Sequence, residues 1–373
     1  MESSEFIPAR TIIAADGRVL LFSCEQFITD ICDGDGCFIC GAASGSKAFN
    51  DEHVIPRWVL RRFCLFDQQV TLPNSERRHY RSYTMPCCQD CNDLLGKRVE
   101  TPVSDLLSGA YDDIVPRLDS DNLHLLFHWL CLIFLKTHLK DRAVRVHRDP
   151  RLGRETVGAG YFWPDLHHLH CVSRATYVGA DVAPEVMGSL SIFKVEDPTS
   201  DGGFDYADMT HEQAVVLRLG DFGVAAVLND SGAAAIGIRH HLAKIDRAIT
   251  MVQLREVGVR LGVANSDLLN RPEFGSLVRV APPERVLLWG RHDAEPVFAP
   301  LDPEKLGSAL AYILADRMGS FDLDGERDPE KLDALIRTGR VSFLFGADGE
   351  FTPAKITFER LVAAIDASNG GDS

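Results

Sequence analysis

Two Cys-x-x-Cys pairs constrain this chain more than any other feature: Cys37-Phe-Ile-Cys40 and Cys88-Gln-Asp-Cys91, with 47 residues between them. A Cys-x-x-Cys bends back on itself so that two thiolates meet one cation, and two such turns complete the sulfur tetrahedron that structural zinc prefers. Whatever lies between the pairs must therefore fold so that its ends meet. Cys87 adjoins Cys88 but breaks the x-x spacing to Cys91, so it is read as packing. Cys24, Cys32, Cys64, Cys131 and Cys171 are read as buried thiols. Ten cysteines in 373 residues, with no N-terminal run that has the form of a signal peptide, fit a reducing compartment and metal binding better than a disulfide framework. A cytoplasmic location is expected.

The formal charge of −15 argues against a nucleic-acid partner for the chain as a whole, because phosphate neutralisation needs Lys and Arg where the strand lies. The charge is unevenly spread. From Cys37 to Glu100 there are nine Lys or Arg against seven Asp or Glu, so this segment escapes the acidic background. The 45% hydrophobic content suffices for two ordinary cores. The most apolar run, LHLLFHWLCLIFLKTHL (Leu123 to Leu139), holds three histidines and a lysine and is too short and polar to cross a bilayer; it reads as a buried helix, and no membrane partner is expected.

Pattern divides the chain into an N-terminal extension (1–34), a cysteine-bracketed module (35–117) and a mixed α/β C-terminal domain (118–373), giving an α+β fold class. In the extension, RVLLFS reads as a strand and EQFITDIC as a short helix. Within the module, PRWVLRRFCLF predicts a helix starting at proline, QQVTL and RRHYRSYTM predict two strands of a hairpin, and CQDCNDLLGKRVETPVSDLL predicts a helix opening at the second cysteine pair. Farther on, AVVLRLGDFGVAAVLND predicts a hairpin turning at Gly220-Asp221, while RHHLAKIDRAITMVQLREVGVRLG and PEKLGSALAYILADRMG carry the helical period. The tail SNGGDS reads as frayed.

Between the cysteine pairs stands Glu52-His53-Val54-Ile55-Pro56, and the second pair is embedded in Pro86-Cys87-Cys88-Gln89-Asp90-Cys91-Asn92. In this order the three elements resemble the HNH endonuclease family, whose zinc-bearing members run Cys-x-x-Cys, an acid-His-x-x-Pro strand, then Pro-x-Cys-x-x-Cys-Asn at a helix start. The resemblance covers roughly residues 35 to 100. It implies a zinc-stapled ββα-metal, treble-clef-like nuclease module in which a hairpin and a helix clamp a catalytic divalent cation, Mg²⁺ or Mn²⁺. It also implies His53 as general base and Glu52 and Asn92 as oxygen ligands of that ion. The roles make chemical sense: a neutral imidazole generates hydroxide at cellular pH, and a hard cation offsets the charge of the scissile phosphate. Because neighbouring strand residues face opposite sides, Asp51 is open to the ligand role as well as Glu52, and Asn92 is open to a capping role on its helix. The family's middle asparagine is replaced by Tyr83, whose phenol cannot copy an amide's paired hydrogen bonds.

Arg57, Arg61 and Arg62 on the predicted helix, and Arg77, Arg78, His79 and Arg81 on the predicted strand, supply forks suited to phosphate oxygens; Lys97 and Arg98 belong to the same set. The plain alternative is a solvated surface. DNA endonuclease activity, as in defence or restriction, is thus the first reading, with double-stranded DNA as partner. The alternatives are a catalytically weakened zinc module binding nucleic acid or protein, and a ligand-sensing C-terminal domain with the nuclease as effector. The C-terminal domain is also open to homo-oligomer formation. His124 and His128, and the histidines of DLHHLHC and RHHLAK, lack the partner ligands of a metal site.

Overall fold

In the computed structural model, which describes residues 10–196, 202–292, 294–318, 328–346 and 348–352, the two stretches beside the cysteine pairs find each other as strands. In chain order the first strands are β1 (Ile12–Ile13), β2 (Val19–Leu21), β3 (Phe49–His53), β4 (Gln69–Thr71), β5 (Arg77–His79) and β6 (Thr84–Cys88). β3 runs antiparallel to β6, with Glu52 opposite Met85 and His53 opposite Thr84. The Val54 amide donates to the Tyr83 carbonyl at 3.1 Å and extends the pairing by a step.

The expected helix follows β3 as α1 (Arg57–Arg62), with Pro56 at its N-cap, where the missing N–H costs nothing. RRHYRSYTM is not one strand: β5 pairs β4, a single 3₁₀ turn at Tyr80–Ser82 intervenes, and β6 pairs β3. The chain changes partners there because β6 must return Cys88 to the first knuckle. α2 (Gln89–Leu95) starts directly from β6, widens into a π-type stretch at Gly96–Glu100, and continues as α3 (Thr101–Leu106).

The apolar run is α4 (Ser120–Asp141), capped by Asp119, whose side chain accepts from the Asn122 amide. The described chain divides into two compact units, Met1–Met187 with Pro272–Asp293, and the remainder. α4 therefore belongs with the cysteine module, so the first unit runs past the boundary at 117/118 expected from pattern. Its burial is the reason: from Leu126 to Leu135 all but His128 are buried, and neighbours on more than one side are needed to cover such a helix. The same unit contains α5 (His167–Ser173) and a sheet ordered β12-β13-β7, formed by β7 (Asp181–Val182), β12 (Glu273–Arg279) and β13 (Arg285–Arg291).

The second unit holds an antiparallel sheet ordered β8-β11-β10-β9: β8 (Leu190–Lys194), β9 (Phe204–Met209), β10 (Ala214–Leu219) and β11 (Phe222–Val227). The hairpin expected at Gly220-Asp221 forms between β10 and β11, and Gly220 takes the left-handed φ of +69° that the turn requires. RHHLAKIDRAITMVQLREVGVRLG breaks into a short turn of helix, Arg239–Leu242, and α6 (Met251–Ser266). The break follows from a capping box, in which Thr250 accepts from the Gln253 amide and Gln253 accepts from the Thr250 amide. A Cβ at Gly258 would collide with Val216, so glycine lets α6 lie close on β10. α7 (Pro303–Ile313) follows as expected. The tail SNGGDS lies outside the described residues. Among the described residues no helix is long and apolar enough to cross a membrane.

Candidate metal centre and hairpin site

The knuckle of residues 37–40 and the junction of β6 with α2 bring the four sulfurs of Cys37, Cys40, Cys88 and Cys91 within 4.8 Å of one another, all buried. Four thiols, with no carboxylate among the described residues in the group, suit zinc in a closed, structural site. The neighbouring thiols donate to Cys37, which holds its thiol far below the ordinary range; the Cys40 thiol, facing that sulfur, is pushed up to about 12, and the Cys91 thiol is raised as well. Cys87 is buried, with its sulfur 3.8 Å from that of Cys37 and outside the set of four.

α5 braces the first knuckle from behind. His170 Nε2 lies 2.8 Å from the Phe38 carbonyl, and the Arg174 guanidinium, 1% exposed, donates to the carbonyls of Ile39 and Val19. Burial and the nearby Arg174 hold His170 well below the usual histidine range, so the ring is neutral and Nε2–H donates. Of the histidines of DLHHLHC, His167 and His170 thus reach backbone carbonyls, of Phe22 and Phe38, while His168 stacks on Phe274. His128 likewise reaches the Ser173 carbonyl, at 3.2 Å.

Strand alternation sorts the acid-His stretch: Asp51 is exposed, Glu52 buried and His53 half-buried. His53 Nδ1 is shielded from solvent and, among the described residues, has no hydrogen-bond partner, and the ring stands edge-on to Phe66. Burial, with Arg57 adding to it, lowers its pKa below the ordinary value, so the imidazole is neutral at pH 7.

Glu52 turns the other way. One of its oxygens lies 2.7 Å from Nζ of Lys136 on α4, and the same ammonium donates to the His53 carbonyl at 2.9 Å. Glu100, at the end of the π-type stretch, approaches Nζ to 3.5 Å. Lys136 is 2% exposed, and its two carboxylates outweigh burial and keep it charged. Burial pushes the Glu100 carboxyl up to about 7 against the pull of Lys136. Pattern reasoning missed Lys136 and Glu100; the one signal was a lysine inside an otherwise apolar run. Asn92 donates from Nδ2 to Asn50 Oδ1 at 2.8 Å, and it is not the N-cap of its helix, a position Cys88 holds without a side-chain capping bond. Tyr83 is buried and donates to Asp141 Oδ1 at 2.9 Å.

The residues present thus fit one implied metal and not the other. The four thiols fit zinc. A divalent cation on Glu52 does not fit, because an ammonium already holds its carboxylate; the Asn92 amide bonds Asn50 through Nδ2, which leaves its oxygen uncommitted.

The cationic set also divides. Arg57, Arg61, Arg77, Lys97 and Arg98 are exposed and, among the described residues, have no hydrogen bond or ion pair. Arg62 instead donates to the carbonyls of Leu107 and Gly109, Arg78 pairs with Glu76 at 3.3 Å, and Arg81 pairs with Asp67 at 3.2 Å. His79 Nδ1 lies 3.2 Å from the Asp67 carbonyl. These four hold the helix and hairpin in place.

The fold and site define a mixed α+β protein with a buried four-cysteine cluster compatible with zinc. Compared with family models, curated proteins and solved structures, the chain matches none.

Proposed function

We propose that the cysteine-bracketed module is a zinc-stapled, treble-clef-like ββα-metal unit of HNH type, and that it hydrolyses phosphodiester bonds of double-stranded DNA with His53 as general base. The observation that carries the reading is the state of His53. It sits at the end of a strand whose partner runs straight into a cysteine-rooted helix, with no hydrogen-bond partner on Nδ1 and a pKa below the ordinary value. The neutral imidazole takes a proton from water at Nε2, the ring nitrogen that is not shielded, the hydroxide attacks phosphorus, and the P–O bond to the leaving sugar oxygen breaks as that oxygen takes a proton from solvent water. The unpaired Arg57, Arg61, Arg77, Lys97 and Arg98 supply phosphate contacts that position the strand without reading its sequence. Mg²⁺ or Mn²⁺ belongs to this reading through the resemblance alone, because Glu52 is held by Lys136.

That ion pair favours a second reading, a zinc module that binds nucleic acid or protein without cutting. Plasmid nicking by the wild type and His53→Ala, at equal zinc content and with or without added Mg²⁺ or Mn²⁺, separates the two. Nicking by the wild type alone supports the nuclease. Equal nicking by both, or none by either across supercoiled, linear and single-stranded substrates, rules His53 out as the base.

A further inference from the structure

The contacts of Lys136 have the composition of a hard-cation site. Two carboxylates and a backbone carbonyl, from Glu52, Glu100 and His53, converge on one point inside the first unit, and the positive charge at that point is an ammonium. Oxygen donors of this kind, here from two separated stretches of chain, are what Mg²⁺ or Mn²⁺ takes. Here a third stretch, α4, brings its own cation on a four-carbon stem. The stem enters from the apolar interior, where Lys136 follows Phe134 and Leu135, both fully buried. Leaving this seat would carry a charged head through packed side chains or abandon two carboxylates in a low-dielectric interior, and either is costly.

We infer that Lys136 is the resident cation of an oxygen-lined seat formed by Glu52, Glu100 and the His53 carbonyl, and that the seat excludes divalent ions while the ammonium fills it. The ammonium holds β3 by its carbonyl and its carboxylate at once, so it fixes the backbone that presents His53. Any divalent ion that supports cleavage then binds elsewhere, on substrate phosphate or on the exposed Asp51 side of β3. The inference deepens the reading of the hairpin site but rests on the Lys136 contacts. Ion counting and nicking are separate readouts, so either can fail alone.

The test counts Mn²⁺ bound to the full-length, zinc-loaded protein by the loss of the free-ion electron paramagnetic resonance signal. Glu52→Gln keeps an oxygen acceptor for Lys136, and Lys136→Met keeps the stem and removes the charge. Wild type and Glu52→Gln should bind Mn²⁺ identically. Lys136→Met should gain one site per chain, at least about tenfold tighter than any in the wild type, and adding Glu52→Gln to it should abolish that site. A wild-type Mn²⁺ site that Glu52→Gln removes would overturn the inference, as would a folded Lys136→Met that gains none. If Lys136→Met does not fold, the comparison of wild type with Glu52→Gln decides alone.

Discussion

Tyr83 donates its phenolic hydrogen to Asp141 at 2.9 Å, tying the residue that precedes β6 to the last residue of α4. The position that in the HNH resemblance belongs to an amide bracing its own loop here braces a long helix against the hairpin. Both partners are buried, so Tyr83→Phe leaves Asp141 short of a donor and should cost about 1–3 kcal/mol of stability. Denaturant unfolding of the two proteins measures it, and an unchanged midpoint would show that the bond contributes nothing.

Zinc is expected at one equivalent per chain, with Cys37, Cys40, Cys88 and Cys91 as ligands. Because binding to such a site is itself folding free energy, on the order of 10 kcal/mol at neutral pH, a zinc-selective chelator should unfold the hairpin and α2. Elemental analysis and circular dichroism check it; Cys88→Ser should lose the metal, and Cys87→Ser should keep it.

Removing one partner of the buried Lys136–Glu52 pair leaves the other charged and uncompensated. Lys136→Met alone should destabilise by about 3–5 kcal/mol, whereas Lys136→Met with Glu52→Leu should recover most of the loss. Chemical denaturation of the single and double variants gives the coupling directly; simple additivity would contradict the pairing.

If His53 is the base, its proton must be off for nicking to occur. Its pKa lies below the ordinary 6.5, so the rate should be flat above that pH and fall as pH drops below it. His53→Ala should lose about 10²–10⁴-fold, the usual worth of a general base. Initial nicking rates from pH 5 to 8.5 test this, and a rate still rising above pH 7.5 would point to another group.

Glu100 gives a stability signature of its own. Its folded pKa of about 7 lies above the ordinary 4.5, so the folded state holds this proton to higher pH than the unfolded chain. The resulting stabilisation is complete below about 4.5 and is lost as pH rises through about 7. Glu100→Gln cannot ionise, so it should gain on the wild type across that window. Melting temperatures of the two proteins at pH 4.5, 6 and 7.5 show whether the difference grows as expected.

Local rules made several features legible. The paired Cys-x-x-Cys spacing determined the cluster, Pro56 the start of α1, Gly220 the turn between β10 and β11, and the apolar run the buried helix α4, since each depends on residues close in sequence. Alternation along β3 ensured that Asp51 and Glu52 would face opposite ways, but not which faced inward. Only the tertiary structure decided that, by laying α4 across the hairpin and placing Lys136 against Glu52, 84 positions away. The partner of Tyr83, the merging of α4 with the module and the bonding of Asn92 to Asn50 were decided likewise. A lone lysine in an apolar run must find a counter-charge, because burying it unpaired is too costly; which carboxylate answers depends on where the chain returns, and spacing along the sequence does not encode that.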